Sequence, residues 1–431
     1  MRKFLIITLL LITTAAFGAE KLSLQDCINI ALEKNPNLTI ASKQVSAYRS
    51  GVRGSYGSIL PYVSAGARSS RSTQGPNEYI AYGTKFVSPD TTTYYYSAGI
   101  TYNQNIFDGG KWWNNIRLAK NSLDGAIYDR NLTRQSIIAN VTEKFYNVLK
   151  ARELLNVYEM ALKNSREQLG KTEEMYKIGQ VAKKDLFKAQ VSEGNDRLNV
   201  IRQKSVIRLA MSDLNVAIGQ TPNIPLDIYE DEYKITENVG KEVAVKKAIA
   251  GNQEYNSLIT QKTSAFLQYK IAQGDCFPTL SSTFSYYRGG PEFSHAYEDF
   301  DKWWNTNLTF NLSFPLFDGF RRKTNIQQKR LNYNIYEDRI EQKRIEIESQ
   351  IENLILTLDT FREMLAINEL NIESAREDLR LAQEMYRLNS ATLLEVLDAQ
   401  VTLTRAQGNL ITTKYDAKII EAQLALVMGT L

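Results

Sequence analysis

The chain has very little cysteine and histidine. Among 431 residues there are two cysteines, Cys27 and Cys276, and one histidine, His295. One cysteine pair cannot staple a chain of this length into a disulfide scaffold. The two fall at opposite ends of what read as corresponding helices, so both are expected to be unpaired. A single histidine, in a loop flanked by glycine and proline, excludes a multi-histidine metal centre and leaves little basis for a histidine-based triad. No phosphate-cradling glycine loop of the usual spacing occurs. We therefore expect neither catalysis nor a cofactor or bound metal. Net charge is only +4, from 52 Lys and Arg against 48 Asp and Glu, so no bulk field favours nucleic acid as a partner.

Long apolar runs are also missing. Arg2 and Lys3 followed by the short apolar stretch Phe4–Ile12 and the small residues of Ala16-Phe17-Gly18 read as an export signal over residues 1–18, cleaved near Gly18 or Ala19. Beyond it no run of about 18 apolar residues appears, so no transmembrane helix is expected. Proline is the third scarcity. The nine prolines are at 36, 61, 76, 89, 222, 225, 278, 291 and 315, with none between 90 and 221 or after 315. Proline breaks helix interiors, so these gaps permit very long helices. Lys111 to Gly170 alone is about 60 residues, or roughly 90 Å of helix. Helices of that length imply a coiled coil or a tube rather than an ordinary globule.

What is present is a sentence written twice. Phe107-Asp108-Gly109 recurs as Phe317-Asp318-Gly319, Glu174-Met175-Tyr176 as Glu384-Met385-Tyr386, Ala189-Gln190 as Ala399-Gln400 and Gly219 as Gly429, always 210 residues on. Upstream the offset is 217: Asn35 matches Asn252, and Leu60-Pro61 matches Phe277-Pro278. A loop between Pro61 and Phe107 is thus expected to be 7 residues shorter in the second copy. The expected organisation is a first repeat over 19–220, a linker over 221–245 and a second repeat over 246–431. Each repeat carries a β-hairpin (about 62–107 and 279–316) and a long helical hairpin (110–219 and 319–428). Such tandem duplication commonly builds pseudo-symmetric bodies.

Two periods fill these segments. Leu403, Ala406, Leu410, Thr413, Ala417, Ile420, Leu424 and Val427 alternate steps of 3 and 4, a heptad seam with one polar slot. Elsewhere the period is 2. Leu308, Phe310, Leu312 and Phe314 alternate with Asn307, Thr309, Asn311 and Ser313. Tyr94–Ile106 alternates likewise apart from Gln104, Leu280, Phe284 and Tyr286 do so with Ser282 as an interruption, and Tyr62–Ser70 alternates most weakly. These are four strands of about 9–12 residues, long enough to cross an outer membrane when tilted. Tyr94-Tyr95-Tyr96, Tyr286-Tyr287 and Trp303-Trp304 suit interfacial girdles, and Trp112-Trp113 follows a strand at a helix start. A soluble sheet with one wet face has the same alternation. If the strands do enter lipid, four are too few: a closed barrel needs about 8, and hydrocarbon does not tolerate open edges. Several copies must then share one barrel.

At this point the chain resembles the TolC family of outer-membrane efflux proteins over nearly all of its mature length. The resemblance rests on the junctions Asn105–Gly110 and Ser313–Gly319, on the hairpin tips Glu174–Leu186 and Glu384–Gln400, and on the opening Leu22-Ser23-Leu24 with Ala31-Leu32 and Asn35-Pro36. It implies a mainly α fold with a small β part: a homotrimer whose long α-helical barrel continues into a 12-stranded outer-membrane β-barrel, four strands per chain. It implies a belt formed by residues near 220–245 and the chain ends. It implies an exit duct in the outer membrane with a large periplasmic part, fed by an inner-membrane transporter through a periplasmic adaptor and sealed against outer-membrane lipid. Residue by residue, Asp185 and Tyr386 stand where the family has a linking pair at its periplasmic gate, and Glu395 and Asp398 where it has two aperture acids. Ala391 stands where the family has a gate arginine, which Lys183 or Lys184 would have to replace. Tyr176, Ile178, Gly179, Gln180, Leu388, Asn389 and Ser390 would form the adaptor-docking tips. Asp108 with Gly109 and Asp318 with Gly319 mark the strand-to-helix junctions, where the aspartates are expected to cap helices. The alternative reading is an exported coiled-coil scaffold or adhesin without channel activity.

Overall fold

The computed structural model describes residues 21–230, 240–388 and 390–431. The expected signal over 1–18, part of the 221–245 linker and Asn389 lie outside them. Packing divides the chain into two compact units, one of residues 1–41, 130–253 and 344–431, the other of residues 42–129 and 254–343. Each unit draws on both copies of the repeat.

The second unit holds the sheet. Its strands are β2 (Tyr62–Gln74), β5 (Thr91–Phe107), β7 (Thr279–Gly290) and β8 (Trp304–Ser313). They lie antiparallel in the order β2-β5-β7-β8, so β2 and β8 are edges and the two copies meet at β5–β7. That central seam runs from Tyr96↔Gly290 to Phe107↔Leu280, with a register shift between Asn105 and Phe107. The two polar residues that interrupt the apolar alternation, Gln104 and Ser282, face each other across it. Gln104 Nε2 also donates to Ile59 O at 2.7 Å, which gives this polar group a partner on the apolar face. On the polar face Thr283 Oγ1 donates to Asn103 Oδ1 at 2.9 Å. The apolar face is bare: Leu308, Phe310 and Leu312 are 61%, 64% and 69% exposed.

Three details differ from the sequence reading. The connection between β2 and β5 contains an unforeseen hairpin, β3 (Asn77–Ala81) and β4 (Thr84–Ser88). It turns on Tyr82 and Gly83, both at positive φ, as a two-residue primed turn requires. The length difference between the copies is not all loop, since β5 runs 17 residues against 10 for β8. The free cysteines also lie on non-equivalent elements: Cys27 is buried in α1 (Leu24–Lys34), while Cys276 is exposed just past α6 (Gln253–Gly274).

The proline-free gaps are helix. α3 (Lys111–Lys177) and α7 (Arg321–Arg387) each run 67 residues, roughly 100 Å. Their partners α4 (Lys183–Ala217) and α8 (Leu393–Met428) run 35 and 36. In the first unit Val141, Phe145 and Val148 of α3, Leu214 of α4 and Tyr415 of α8 pack with Cys27 and Ala31 of α1. The polar slot of the heptad seam is satisfied, with Asn368 Nδ2 donating to Thr413 Oγ1 at 3.2 Å. The strand β1 (Lys21–Leu22) pairs in parallel with β6 (Asp227–Ile228), so the start of the described chain and the segment after the first repeat share one small sheet.

The repeated Asn and Gly residues do the same job in both copies. Asn35 Nδ2 donates to Ala217 O at 3.1 Å, and Asn252 Nδ2 donates to Val427 O at 3.0 Å. Gly219 and Gly429 end their helices at φ of 78° and 69°. A Cβ on Gly219 would lie 2.9 Å from the Lys34 backbone, and one on Gly429 would strike Gly251. Positive φ and backbone contact together demand glycine.

Candidate functional site

The hairpin tips are built alike. α3 ends where Ile178 N donates to Glu174 O at 3.3 Å and Gln180 N to Met175 O at 2.8 Å, around Gly179 at φ 76°. α7 ends where Leu388 N donates to Glu384 O at 3.1 Å and Ser390 N to Met385 O at 2.8 Å. The second bond of each pair, from Gln180 to Met175 and from Ser390 to Met385, spans six residues, and in the first tip it closes over the left-handed Gly179. The position equivalent to Gly179 is Asn389, outside the described residues. Tyr176, Ile178, Gly179, Gln180, Leu388 and Ser390 are all exposed, and Ile178 and Leu388 present bare aliphatic side chains to solvent.

Beneath the second tip, Leu379 of α7 packs on Val396 and Ala399 of α8, with Tyr386 against them. Tyr386 Oη is buried with no hydrogen-bond partner among the described residues. The neighbouring Thr172 hydroxyl donates instead to Gln168 O at 2.9 Å. Burial, with the Asp185 charge second, pushes the Tyr386 phenol above its ordinary value. Asp185 therefore reaches Tyr386 as a field rather than as a hydrogen bond. Lys183 lies over the Phe187 ring at 5.5 Å.

Glu395 has a local duty. Thr392 is the N-cap of α8, and its Oγ1 accepts from Glu395 N at 3.4 Å. Glu395 Oε1 accepts in return from Thr392 N at 3.1 Å and from Thr392 Oγ1 at 2.8 Å, completing a capping box. Those bonds hold its carboxyl below the ordinary 4.5. Glu395 and Asp398, three residues apart on one helix, are both exposed.

At the junctions each aspartate side chain accepts from the first turn of the helix that follows. Asp108 Oδ2 accepts from Trp112 N at 2.9 Å, and Asp318 Oδ2 from Arg322 N at 3.0 Å and Arg322 Nε at 2.8 Å. Gly109 and Gly319 take φ of 75° and 68°. Copy one follows with Gly110 at φ 80°, whereas copy two puts Phe320 at φ 67°.

Sequence reasoning missed one cluster. Tyr415, buried in α8, hydrogen-bonds Glu153 Oε1 of α3 at 2.7 Å and Glu230 Oε2 at 3.1 Å, with Lys414 Nζ at 3.6 and 3.8 Å from the same carboxylates. Burial and the two carboxylates push the phenol well above its ordinary range. Arg152 Nη1 donates beside it to Asp227 Oδ1 at 2.9 Å and Ile228 O at 2.8 Å. Together these groups hold the segment after the first repeat onto α3. Tyr415 sits off the heptad seam, and nothing in the local sequence pairs it with glutamates 262 and 185 positions away.

The family model described as "Outer membrane efflux protein" matches residues 27–220 and again 244–430, so the two matches start 217 and end 210 residues apart, the offsets of the repeat. Among curated relatives, outer membrane protein TolC of Salmonella enteritidis is 21% identical over 78% of this chain and 69% of its own length. The probable efflux pump outer membrane protein TtgC of Pseudomonas putida is 22% identical over 94% of this chain and 83% of its own. Among solved structures, the Campylobacter jejuni CmeC outer membrane channel superposes with a TM-score of 0.82 at 17% identity, covering 94% of this chain and 85% of that one. The open state of the Neisseria gonorrhoeae MtrE outer membrane channel gives 0.79 at 18%, covering 94% and 88%. The chain belongs to the outer membrane efflux protein family, and it is an outer-membrane protein with a long helical periplasmic part.

Proposed function

We propose that this protein is the passive exit duct of a tripartite efflux or type I secretion system. Three copies donate four strands each to close one 12-stranded barrel, and their long helices continue it as a tube through the periplasm. An inner-membrane transporter supplies the cargo and a periplasmic adaptor grips the hairpin tips. The chain conducts and carries out no chemistry. The observation that carries this reading is the sheet: among the described residues its edges β2 and β8 are unpaired, and its apolar face is bare. Lipid tolerates neither an open edge nor a lone four-stranded sheet.

Gating belongs at the tips. Three copies bring Glu395 and Asp398 into a ring of six carboxylates at a narrow aperture, where crowded like charges attract a cation. Asp185 and Tyr386 mark the place where the second hairpin meets the first in the closed state. The test is conductance in planar bilayers. Glu395→Gln with Asp398→Asn removes the charge while leaving glutamine able to serve the capping box. Higher monovalent conductance with weaker block by divalent cations supports the acidic ring; unchanged block contradicts it. A preparation with no conductance in any variant contradicts the duct itself.

A further inference from the structure

We propose that Arg68 sets the charge preference of the duct: repeated around the closed barrel, its guanidinium forms a cationic ring on the wet wall that favours anionic cargo, whether carboxylate, phosphate or sulfonate. This rests on the duct reading above and adds to it the chemical class of what leaves.

The four strands of the sheet hold three charged residues, all arginine, and no aspartate, glutamate or lysine. Two of the three have duties on the apolar face. Arg71 pairs in register with Tyr94 and lies over its ring, 5.8 Å from the centroid. Arg288 pairs with Ala98 and is 3% exposed. Its Nη2 donates to the carbonyls of Glu298, Asp299 and Lys302, and its guanidinium lies 4.3 Å from the Phe300 centroid. Arg68 has the opposite parity. It pairs with Ser97, which puts it on the polar face with Thr101 and Asn103. It is exposed there, without a hydrogen bond or ion pair among the described residues. No other charged side chain stands on the polar face of these four strands.

Its surroundings leave that charge uncompensated. The row it shares runs Arg68, Ser97, Gly289, and the next row runs Gly66, Gly99, Tyr287. A Cβ on Gly99 would lie 2.6 Å from Tyr287 Cβ, and one on Gly289 would lie 2.7 Å from Ser97 Cβ, so the close approach of β5 and β7 keeps both positions bare. Arg68 is thus the longest side chain of its row. A closed barrel of 12 tilted strands has a wall radius of roughly 12 Å. The Debye length at 0.1 M salt is about 10 Å. Guanidiniums projecting inward from such a wall hold the axis within their field, and arginine rings select anions. The β7–β8 connection carries Glu292, Glu298, Asp299 and Asp301. In a closed barrel β2 of one copy borders β8 of the next, so these are the acids able to neutralise Arg68 from a neighbouring copy.

The test uses Ser97→Cys in a chain that also carries Cys276→Ser, Glu395→Gln and Asp398→Asn, so that the gate acids are neutral and the barrel's own charge is read. Cys27 needs no replacement, because it is fully buried with its thiol pushed up to about 12. In lipid vesicles, the rates of an anionic sulfonatoethyl and a cationic trimethylammonioethyl methanethiosulfonate are compared, each relative to its rate with a free thiol. At low salt the anionic reagent should be severalfold faster. The preference should collapse at about 1 M salt, where the Debye length falls to about 3 Å. Arg68→Lys should keep it, Arg68→Gln should lose it and Arg68→Glu should reverse it. Reversal potentials across planar bilayers under a salt gradient should follow the same order. Equal relative rates at low salt with Arg68 in place overturn the proposal, and would mean that the next copy's acids neutralise the ring. So does a preference that survives Arg68→Gln. A thiol at position 97 closed to both reagents would instead overturn the duct reading, since no water would reach the polar face.

Discussion

At the residue scale the duplication acts as an internal control, because the same backbone is solved twice with different side chains. Gly219 and Gly429 are irreplaceable on both counts, positive φ and backbone contact. Gly429→Ala should cost roughly 2–4 kcal/mol, read as a lower melting temperature by circular dichroism. Phe320→Gly should do the reverse, raising stability in detergent by about 1 kcal/mol through relief of the left-handed strain; a loss of stability there would show that the ring packs within the chain. Tyr386→Phe should be close to neutral for stability, since the hydroxyl it removes has no partner among the described residues. Several of these roles could be read from sequence. Asp108 and Asp318 before glycine announced helix starts, and the paired Asn and Gly offsets marked shared duties. The strain at Phe320 could not be read, because φ at that position is set by the junction and not by the residue.

At the element scale, periodicity and the absence of proline located the helices and four main strands, since a face that must bury or face lipid writes its period into the chain. The β3–β4 hairpin escaped because it is short and buries little, so its residues carry no period. The Tyr415 cluster escaped because its members come from three distant segments. Tyr415→Phe should leave two facing carboxylates without their shared hydroxyl and speed amide hydrogen exchange over residues 221–230 by about 5- to 150-fold, corresponding to about 1–3 kcal/mol. At the tip of α8 the sign of the pH effect follows from Glu395. Its folded carboxyl titrates below the ordinary 4.5, so the capping contribution is fully present above that value and is lost as pH falls through the lower, folded one. Thr392→Ala, which removes the cap itself, should destabilise the tip by about 1 kcal/mol at neutral pH and by less in acid, measurable as hydrogen exchange over the first turns of α8.

At the scale of the whole molecule, the sequence indicated that, in lipid, four strands do not close a barrel alone, but not how many copies close it. In a membrane, strand count, strand length and bare apolar parity all require a partner, and any number of copies that closes a barrel satisfies them. The long helices add the same demand, since Ile201, Leu209, Leu356, Ile367 and Leu370 remain exposed along them. Hydrophobic stripes on helices of roughly 50 to 100 Å cover one another by lateral assembly, so sheet and helices should close together. The most direct measurement is native mass spectrometry of the detergent-extracted protein, with the micelle stripped in the gas phase. The account predicts a single species of three chains. A monomer that stays soluble without detergent, with β2 and β8 paired inside one chain, would contradict it.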